Sequence, residues 1–264
     1  MARQSFKNVM RLINTNKELP VEQSFLADLK RSIEITADGE KRKPSQTYKP
    51  SSMNCIRNMY YQIVGADADE GGPTSNYIMV GIVNSGSDIH VRVQTAVDNM
   101  KNNGMDCVYV DVADFVRSRN LTDIEVVSKQ GVETKLFHKK YNMSFLCDGI
   151  IKYKGKYYIL ELKTETASKF FHRDGVDPSH YNQATAYSIA FGLDNVIFIY
   201  ISRDTLDMKA FMFNVSGLAR EVLLAKIKAC DEYVKNNTIP PLPEDVIKKT
   251  CDYCQYRKRC AKDA

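Results

Sequence analysis

The chain has 264 residues, 44% of them hydrophobic and 26% charged, with a formal net charge of +5. That is enough for one large domain or two small ones with a real core, and no apolar run approaches the roughly 18 residues of a membrane span. The N-terminus lacks the apolar segment of a secretory signal, and seven cysteines cannot all pair as disulfides, so a cytoplasmic protein is expected.

In chain order, residues 1–37 read as two short amphipathic helices, with Phe25, Leu26, Leu29 and Ile33 on one stripe. Residues 38–52, polar and holding Pro44 and Pro50, read as a linker, and 67–76, with Gly71, Gly72 and Pro73, as a loop. Ser87 is expected to cap a helix reaching Asn103, with Ile89, Val93, Ala96, Val97 and Met100 on its apolar face and Gly104 as its stop. Strands are expected at 107–112 and 123–128, then a hairpin over 143–163. A helix over 180–191 leads to the β-branched and aromatic strand Asn195–Ser202, a strand at 208–214 and a helix over 217–236. Pro240, Pro241 and Pro243 precede a cysteine-rich tail. This order of helices and strands predicts a mixed α/β fold.

The hairpin is the most informative stretch. If Lys154 and Gly155 are its two turn residues, cross-strand partners have numbers that sum to 309, which sets Asp148 opposite Glu161. Lys163 points to the same face as Glu161. Two facing carboxylates repel, and a hard divalent cation such as Mg²⁺ or Mn²⁺ removes the penalty. A lysine beside that cation can stabilise charge on a phosphate. His90, on the Ser87 helix, is a further candidate ligand. Gln183 and Tyr187 are four apart and share one helical face.

Cys251, Cys254 and Cys260 lie within ten residues and can wrap one metal centre, with Cys55 as the candidate fourth ligand. Spacing alone leaves zinc and iron–sulfur open. Cys107, Cys147 and Cys230 sit in apolar contexts and read as small buried hydrophobes. Between Lys248 and Ala264 six basic residues face two acidic ones, a concentrated positive patch suited to a polyanion.

Taken together these motifs resemble the RecB-like branch of the PD-(D/E)XK nucleases, and most of all its iron–sulfur members, which include CRISPR-adaptation exonucleases and AddB-type helicase–nuclease subunits. The resemblance runs over residues 50–262. It is carried by Cys55-Ile-Arg57-Asn-Met-Tyr60-Tyr61, Gly86-Ser-Asp-Ile-His90, Asp148, Glu161-Leu-Lys163, Gln183-Ala-Thr-Ala-Tyr187 and Cys251, Cys254 and Cys260, in the family's order. Cys147 stands where the family's proline often precedes the aspartate, and Phe145 where a glycine is frequent.

The resemblance implies a restriction-endonuclease-like core over 46–264, a mixed central sheet flanked by helices, with residues 1–45 as an extension. His90, Asp148, Glu161 and the Leu162 carbonyl would bind Mg²⁺ or Mn²⁺. Lys163 would be the catalytic lysine, positioned with Gln183 and Tyr187. The four cysteines would hold a [4Fe–4S] cluster that staples the chain ends. DNA is the implied substrate, single-stranded ends above all. Arg57, Lys258 and Arg259 are expected on the DNA backbone, and Tyr60, Tyr61, Tyr253 or Tyr256 against bases. There is no G-x-x-x-x-G-K-[ST] phosphate loop, so a helicase or recombination partner would be a separate chain. A non-catalytic DNA-binding subunit and a zinc-stapled nuclease are the alternatives.

Overall fold

A computed structural model of the chain describes residues 20–39, 45–69, 76–130, 133–243 and 251–263. The first of the two N-terminal helices expected from the sequence, the glycines at 71 and 72, Pro44 and the lysines at 248 and 249 lie outside these residues. No described helix is long and apolar enough to cross a membrane.

Among the described residues, eight strands form two sheets. β1 (Cys107–Val110), β5 (Gly149–Tyr153), β6 (Lys156–Glu165), β7 (Asn195–Ser202) and β8 (Met208–Asn214) make a five-stranded sheet in the order β1-β5-β6-β7-β8. All neighbours in it are antiparallel except β6 and β7. β2 (Ile124–Gln130), β3 (Glu133–His138) and β4 (Met143–Cys147) make a separate antiparallel sheet. The described helices are α1 (Val21–Gly39), α2 (Ile56–Ile63), α3 (Tyr77–Asp98), α4 (Val112–Ser118), α5 (Ala167–Phe171), α6 (Tyr181–Phe191), α7 (Gly217–Lys235) and α8 (Arg257–Lys262).

The five-stranded sheet is covered on both faces. Ile89 and Val97 of α3 pack with Cys107, Ile151, Leu160, Leu162 and Ile201 on one side. Residues of α2, α6 and α7 pack with Ile150, Ile159, Val196, Phe198 and Tyr200 on the other. Alternate strand residues therefore feed two cores, as the period of two requires. The parallel β6–β7 pair needs a crossover, and α5 and α6 supply it. This is the expected mixed α/β architecture, a central mixed sheet flanked by helices.

The expected turn is present. Lys154 and Gly155 both have positive φ (48° and 78°), the requirement of the tight hairpin turn that matches strand twist. Tyr153 pairs with Lys156 and Gly149 with Leu160, so partners sum to 309.

Several expectations are corrected. The expected 143–163 hairpin is broken at Asp148: residues before it join the three-stranded sheet, and residues after it the five-stranded one. Ser87 does not start a helix. Asn76 does, with its side chain accepting the Met79 amide at 2.9 Å. Ser87 lies mid-helix and its hydroxyl donates to the Val83 carbonyl, which places His90 beyond the third turn rather than in the first.

Residues 45–52 are not a linker. Tyr48 is buried and bridges to Met143, its amide donates to the Asn142 carbonyl at 2.8 Å, and its hydroxyl donates to Asp231 at 2.6 Å. One aromatic ring anchors an otherwise polar segment to the edge of β4. The apolar stripe of α1 faces solvent instead of a core, with Phe25 66% exposed. α1 is tied to α3 through the Tyr77 amide, which donates to Glu34 at 3.1 Å. β3, α2 and α4 were not expected from the sequence.

Gly149, directly after Asp148, is where the two sheets part. A Cβ there would meet the Tyr109 hydroxyl at 2.7 Å and its ring carbons at 2.8 Å. Gly149→Ala is expected to destabilise the protein by about 1–3 kcal/mol through overpacking, read from the urea midpoint. Tyr109→Phe leaves the ring carbons in place and should not rescue it, whereas Tyr109→Ala should recover part of the loss. An unchanged midpoint in the single Gly149→Ala variant would contradict this packing.

Candidate active site and metal centre

Asp148 sits at the hand-over between β4 and β5 and is 8% exposed. Its Oδ2 accepts the Leu162 amide at 2.7 Å. Its Oδ1 lies 3.3 Å from Nδ1 of His90, which α3 brings across the sheet. The Asp148 main-chain carbonyl is held as well, by Gln94 Nε2 at 2.7 Å and by the Tyr109 hydroxyl. Two donors on the carbonyl and one on the carboxylate fix both the backbone and the side chain.

Glu161 is 3% exposed and points to the α6 side of β6. Its Oε1 accepts Lys163 Nζ at 2.7 Å and Gln183 Nε2 at 2.6 Å. Lys163 Nζ also donates to Gln183 Oε1 at 2.9 Å. Gln183 Nε2 reaches the Tyr187 hydroxyl at 2.9 Å, and that hydroxyl donates to the Leu146 carbonyl at 2.9 Å. The i, i+4 spacing of Gln183 and Tyr187 thus builds one polar ladder down α6 that ends on β4. The other carboxylate oxygen, Oε2, is buried with no hydrogen-bond partner.

His90, Asp148, Glu161, Lys163, Gln183 and Tyr187 are brought together. Leu162 reaches the site through its amide. Sequence reasoning missed Glu133, at the start of β3. Donor atoms of His90, Glu133 and Asp148 all lie within 4.8 Å of one another. Burial, and then the charge of Asp148, raise the Glu133 carboxyl above its ordinary value. The alternating Glu-Thr-Lys-Leu-Phe-His run could have shown it as strand.

Burial would lower the His90 imidazole, but the hydrogen bond and charge of Asp148 outweigh it and raise the group. The Glu161 carboxyl is pushed up to about 7, mainly by burial, with Lys163 pulling it down and Asp148 adding to the rise. Shifts of this kind, from burial together with specific charged partners, mark a candidate functional site.

Behind the site, Glu165 takes a two-pronged contact from Arg173, at 2.6 and 2.7 Å. The Arg173 guanidinium lies 3.9 Å from the Tyr200 ring centroid, and the Tyr200 oxygen accepts the Asp177 amide and pairs with His180. Burial holds His180 down at about 3, so it stays neutral beside Lys163.

The four clustered cysteines also meet. The Cys251 thiol is raised by burial and then by Cys55 and Cys260, and that of Cys254 by burial and by Cys55, Cys260 and Cys251. Asn58 Nδ2 and the Tyr256 amide donate to Cys254 Sγ at 3.7 and 3.5 Å, and Arg57 Nη1 donates to Cys260 Sγ at 3.5 Å. Cys107, Cys147 and Cys230 are buried, as expected.

Four residues expected against DNA are buried instead. Arg57 is buried and donates to the carbonyls of Pro240, Cys260 and Asp263 at 2.7, 3.1 and 3.1 Å. Tyr60 and Tyr61 are core residues, and the Tyr61 hydroxyl donates to Asp263 at 2.6 Å. An amphipathic α2 turns these groups inward onto the C-terminal segment. Tyr256 is buried too, whereas Tyr253 is exposed. The side chains of Lys258 and Arg259 are exposed, and their amides donate to Asp69.

A pH dependence follows for the metal-free protein. The folded Glu161 carboxyl titrates near 7 against 4.5 as its ordinary value, so the native state holds that proton more tightly. The associated stability is full below about 4.5 and is lost as pH rises to about 7. The melting temperature of the wild type minus that of Glu161→Gln should therefore fall across this window. A flat difference would place the titration elsewhere.

No family model and no curated protein matches the chain. Among solved structures it is similar to SSO0001, at 15% identity and a TM-score of 0.47 over 92% of this chain and 98% of that one. It is also similar to an alkaline exonuclease (LHK-Exo) from Laribacter hongkongensis, at 10% identity and 0.43 over 83% and 95%. The complex of LHK-Exo with dAMP aligns at 9% identity and 0.40 over 82% and 94%.

Proposed function

We propose that the chain is a divalent-metal-dependent DNA nuclease of the RecB-like PD-(D/E)XK kind, with Asp148, Glu161 and Lys163 at its catalytic centre. The observation that carries this reading is the second oxygen of Glu161, buried without a partner beside Asp148. A buried carboxylate oxygen without a partner is costly. A cation among Glu161, Asp148 and His90 removes the cost, and two carboxylates with one imidazole fit Mg²⁺ or Mn²⁺. The Leu162 carbonyl is a further proposed donor.

When bound, such an ion polarises a phosphodiester and lowers the pKa of water. The chain's own groups do the rest. Lys163 Nζ, held by Glu161 and Gln183, carries a positive charge to where a phosphate becomes more negative. Gln183, itself braced by Tyr187, fixes both Glu161 and Lys163. Lys258 and Arg259, with Tyr253 as a stacking platform, are proposed to guide single-stranded DNA ends to the site. Binding through phosphates carries little sequence information and weakens with salt. Recombination, repair, phage DNA processing and CRISPR adaptation all use such an activity, with any helicase as a separate partner chain.

Cleavage of linear single-stranded DNA with Mg²⁺ or Mn²⁺ tests the reading. Glu161→Gln and Asp148→Asn should abolish cleavage and metal binding together. Lys163→Ala should keep metal binding and lose on the order of 10²–10³-fold in rate. Full activity in Glu161→Gln would falsify the assignment. Covalently closed single-stranded circles should resist, and equal rates on circles and linear strands would remove the requirement for an end.

For Cys55, Cys251, Cys254 and Cys260 we propose a [4Fe–4S] cluster. Zinc–thiolate bonds of about 2.3 Å in a tetrahedron put sulfurs about 3.8 Å apart. A cluster binds each thiolate to a different iron and so asks for four converging cysteines, which Cys55, Cys251, Cys254 and Cys260 would supply. Protein purified without air should contain iron and acid-labile sulfide, and Cys→Ser at any of the four should bleach it, while Cys107→Ser should not. Stoichiometric zinc without iron would favour the zinc-stapled alternative.

A further inference from the structure

Asp148 meets an acidic residue on each side. In the β3–β4 ladder Thr134 pairs with Cys147, and the next pair along the same register is Glu133 with Asp148. In the β5–β6 ladder Gly149 pairs with Leu160, and the pair before it is Asp148 with Glu161. Asp148 itself lies in neither strand, between the ends of the two ladders, and continuing the register of each places a carboxylate opposite it.

Like charges directly opposite are destabilising, and Lys163, Gln183, His90 and the Leu162 amide relieve this on Asp148 and on one oxygen of Glu161 only. The donor atoms of Glu133, His90 and Asp148 all lie within 4.8 Å. Glu133 is half-buried, and among the described residues no side chain donates a hydrogen bond to its carboxylate. Across Asp148, the Glu161 Oε2 is buried and without a partner, and its carboxylate is close enough to act on His90 electrostatically. Carboxylate oxygen left unmatched on both sides of Asp148 is the arrangement a cation would complete.

We infer that Glu133 is a metal ligand, so that a divalent cation is held by His90, Glu133 and Asp148, with one donor supplied by the three-stranded sheet. This rests on the metal-dependent nuclease reading. It adds a donor from an element outside the hairpin that carries Asp148, Glu161 and Lys163, and it gives the second sheet a role in the centre. An imidazole with carboxylates suits Mn²⁺ at least as well as Mg²⁺.

Mn²⁺ binding to the full-length protein, followed by calorimetry and by loss of the free-ion EPR signal, tests the inference without an activity readout. Glu133→Gln keeps the size and removes the charge. It should weaken Mn²⁺ binding at least about 10-fold, the scale of losing a group that supports a metal site, and Glu133→Asp should restore part of it. The metal-free Glu133→Gln protein should melt at or above the wild-type temperature, because a repulsion has gone, and its gain on adding Mn²⁺ should shrink. Wild-type Mn²⁺ affinity in Glu133→Gln overturns the inference. If Glu161→Gln then loses binding, the nuclease reading survives without Glu133. If neither variant changes affinity, that reading fails with it.

Discussion

Burial of carboxylates around one aspartate sets the terms for the rest of the molecule. Glu161 and Asp148 sit at 3% and 8% exposure, where a carboxylate with no counter-charge costs several kcal/mol. The structure offsets this by convergence. β6 gives Lys163, α6 gives Gln183 and Tyr187, and the Leu162 amide turns to Asp148. The partners come from the sheet and from a helix that flanks it, so that helix is fixed by electrostatics as well as by apolar packing. The crossover loop obeys the same logic. Glu165, two residues beyond Lys163, is neutralised by Arg173, whose guanidinium stacks on Tyr200. At Glu165 the acid inside the sheet is matched by a cation carried on the segment that follows.

The parts legible in the sequence are those fixed by local rules. The Lys154–Gly155 turn and a period of two determine the β5–β6 register, and with it the meeting of Asp148 and Glu161. Four-residue spacing determines that Gln183 and Tyr187 share a face. The cysteine triplet signals its own grouping by proximity in the chain. His90 reaches Asp148, although the helix that carries it begins ten residues earlier than Ser87. The Tyr77–Gly86 stretch, apolar and interrupted by Gly81 and Gly86, resembles strand or loop more than helix, and only tertiary packing overrides that.

What was not legible depends on contacts between distant segments. Nothing near Asp148 announces that the chain leaves one sheet and enters another there. Tyr48 stands in a polar stretch and is read as linker until Met143 and Asp231 are seen around it. Arg57, Tyr60 and Tyr61 look like a nucleic-acid surface because cations and aromatics serve that purpose elsewhere. Their true partners are main-chain carbonyls and an aspartate about 200 positions away. Sequence gives a residue's chemistry. Its direction is set by which face of α2 the core claims.

The Arg57 contact has a consequence for how the molecule ages. Its guanidinium is buried, and two of its three carbonyl acceptors, those of Cys260 and Asp263, belong to the last few residues of the chain. A protease that cuts after Arg259 would carry both away and strand a buried cation on the Pro240 carbonyl alone. The loss would be felt as global unfolding rather than as a slow decline of the carboxylate centre. Exposed and basic, the segment is easy to reach, so a cut there is expected to cost stability across the molecule.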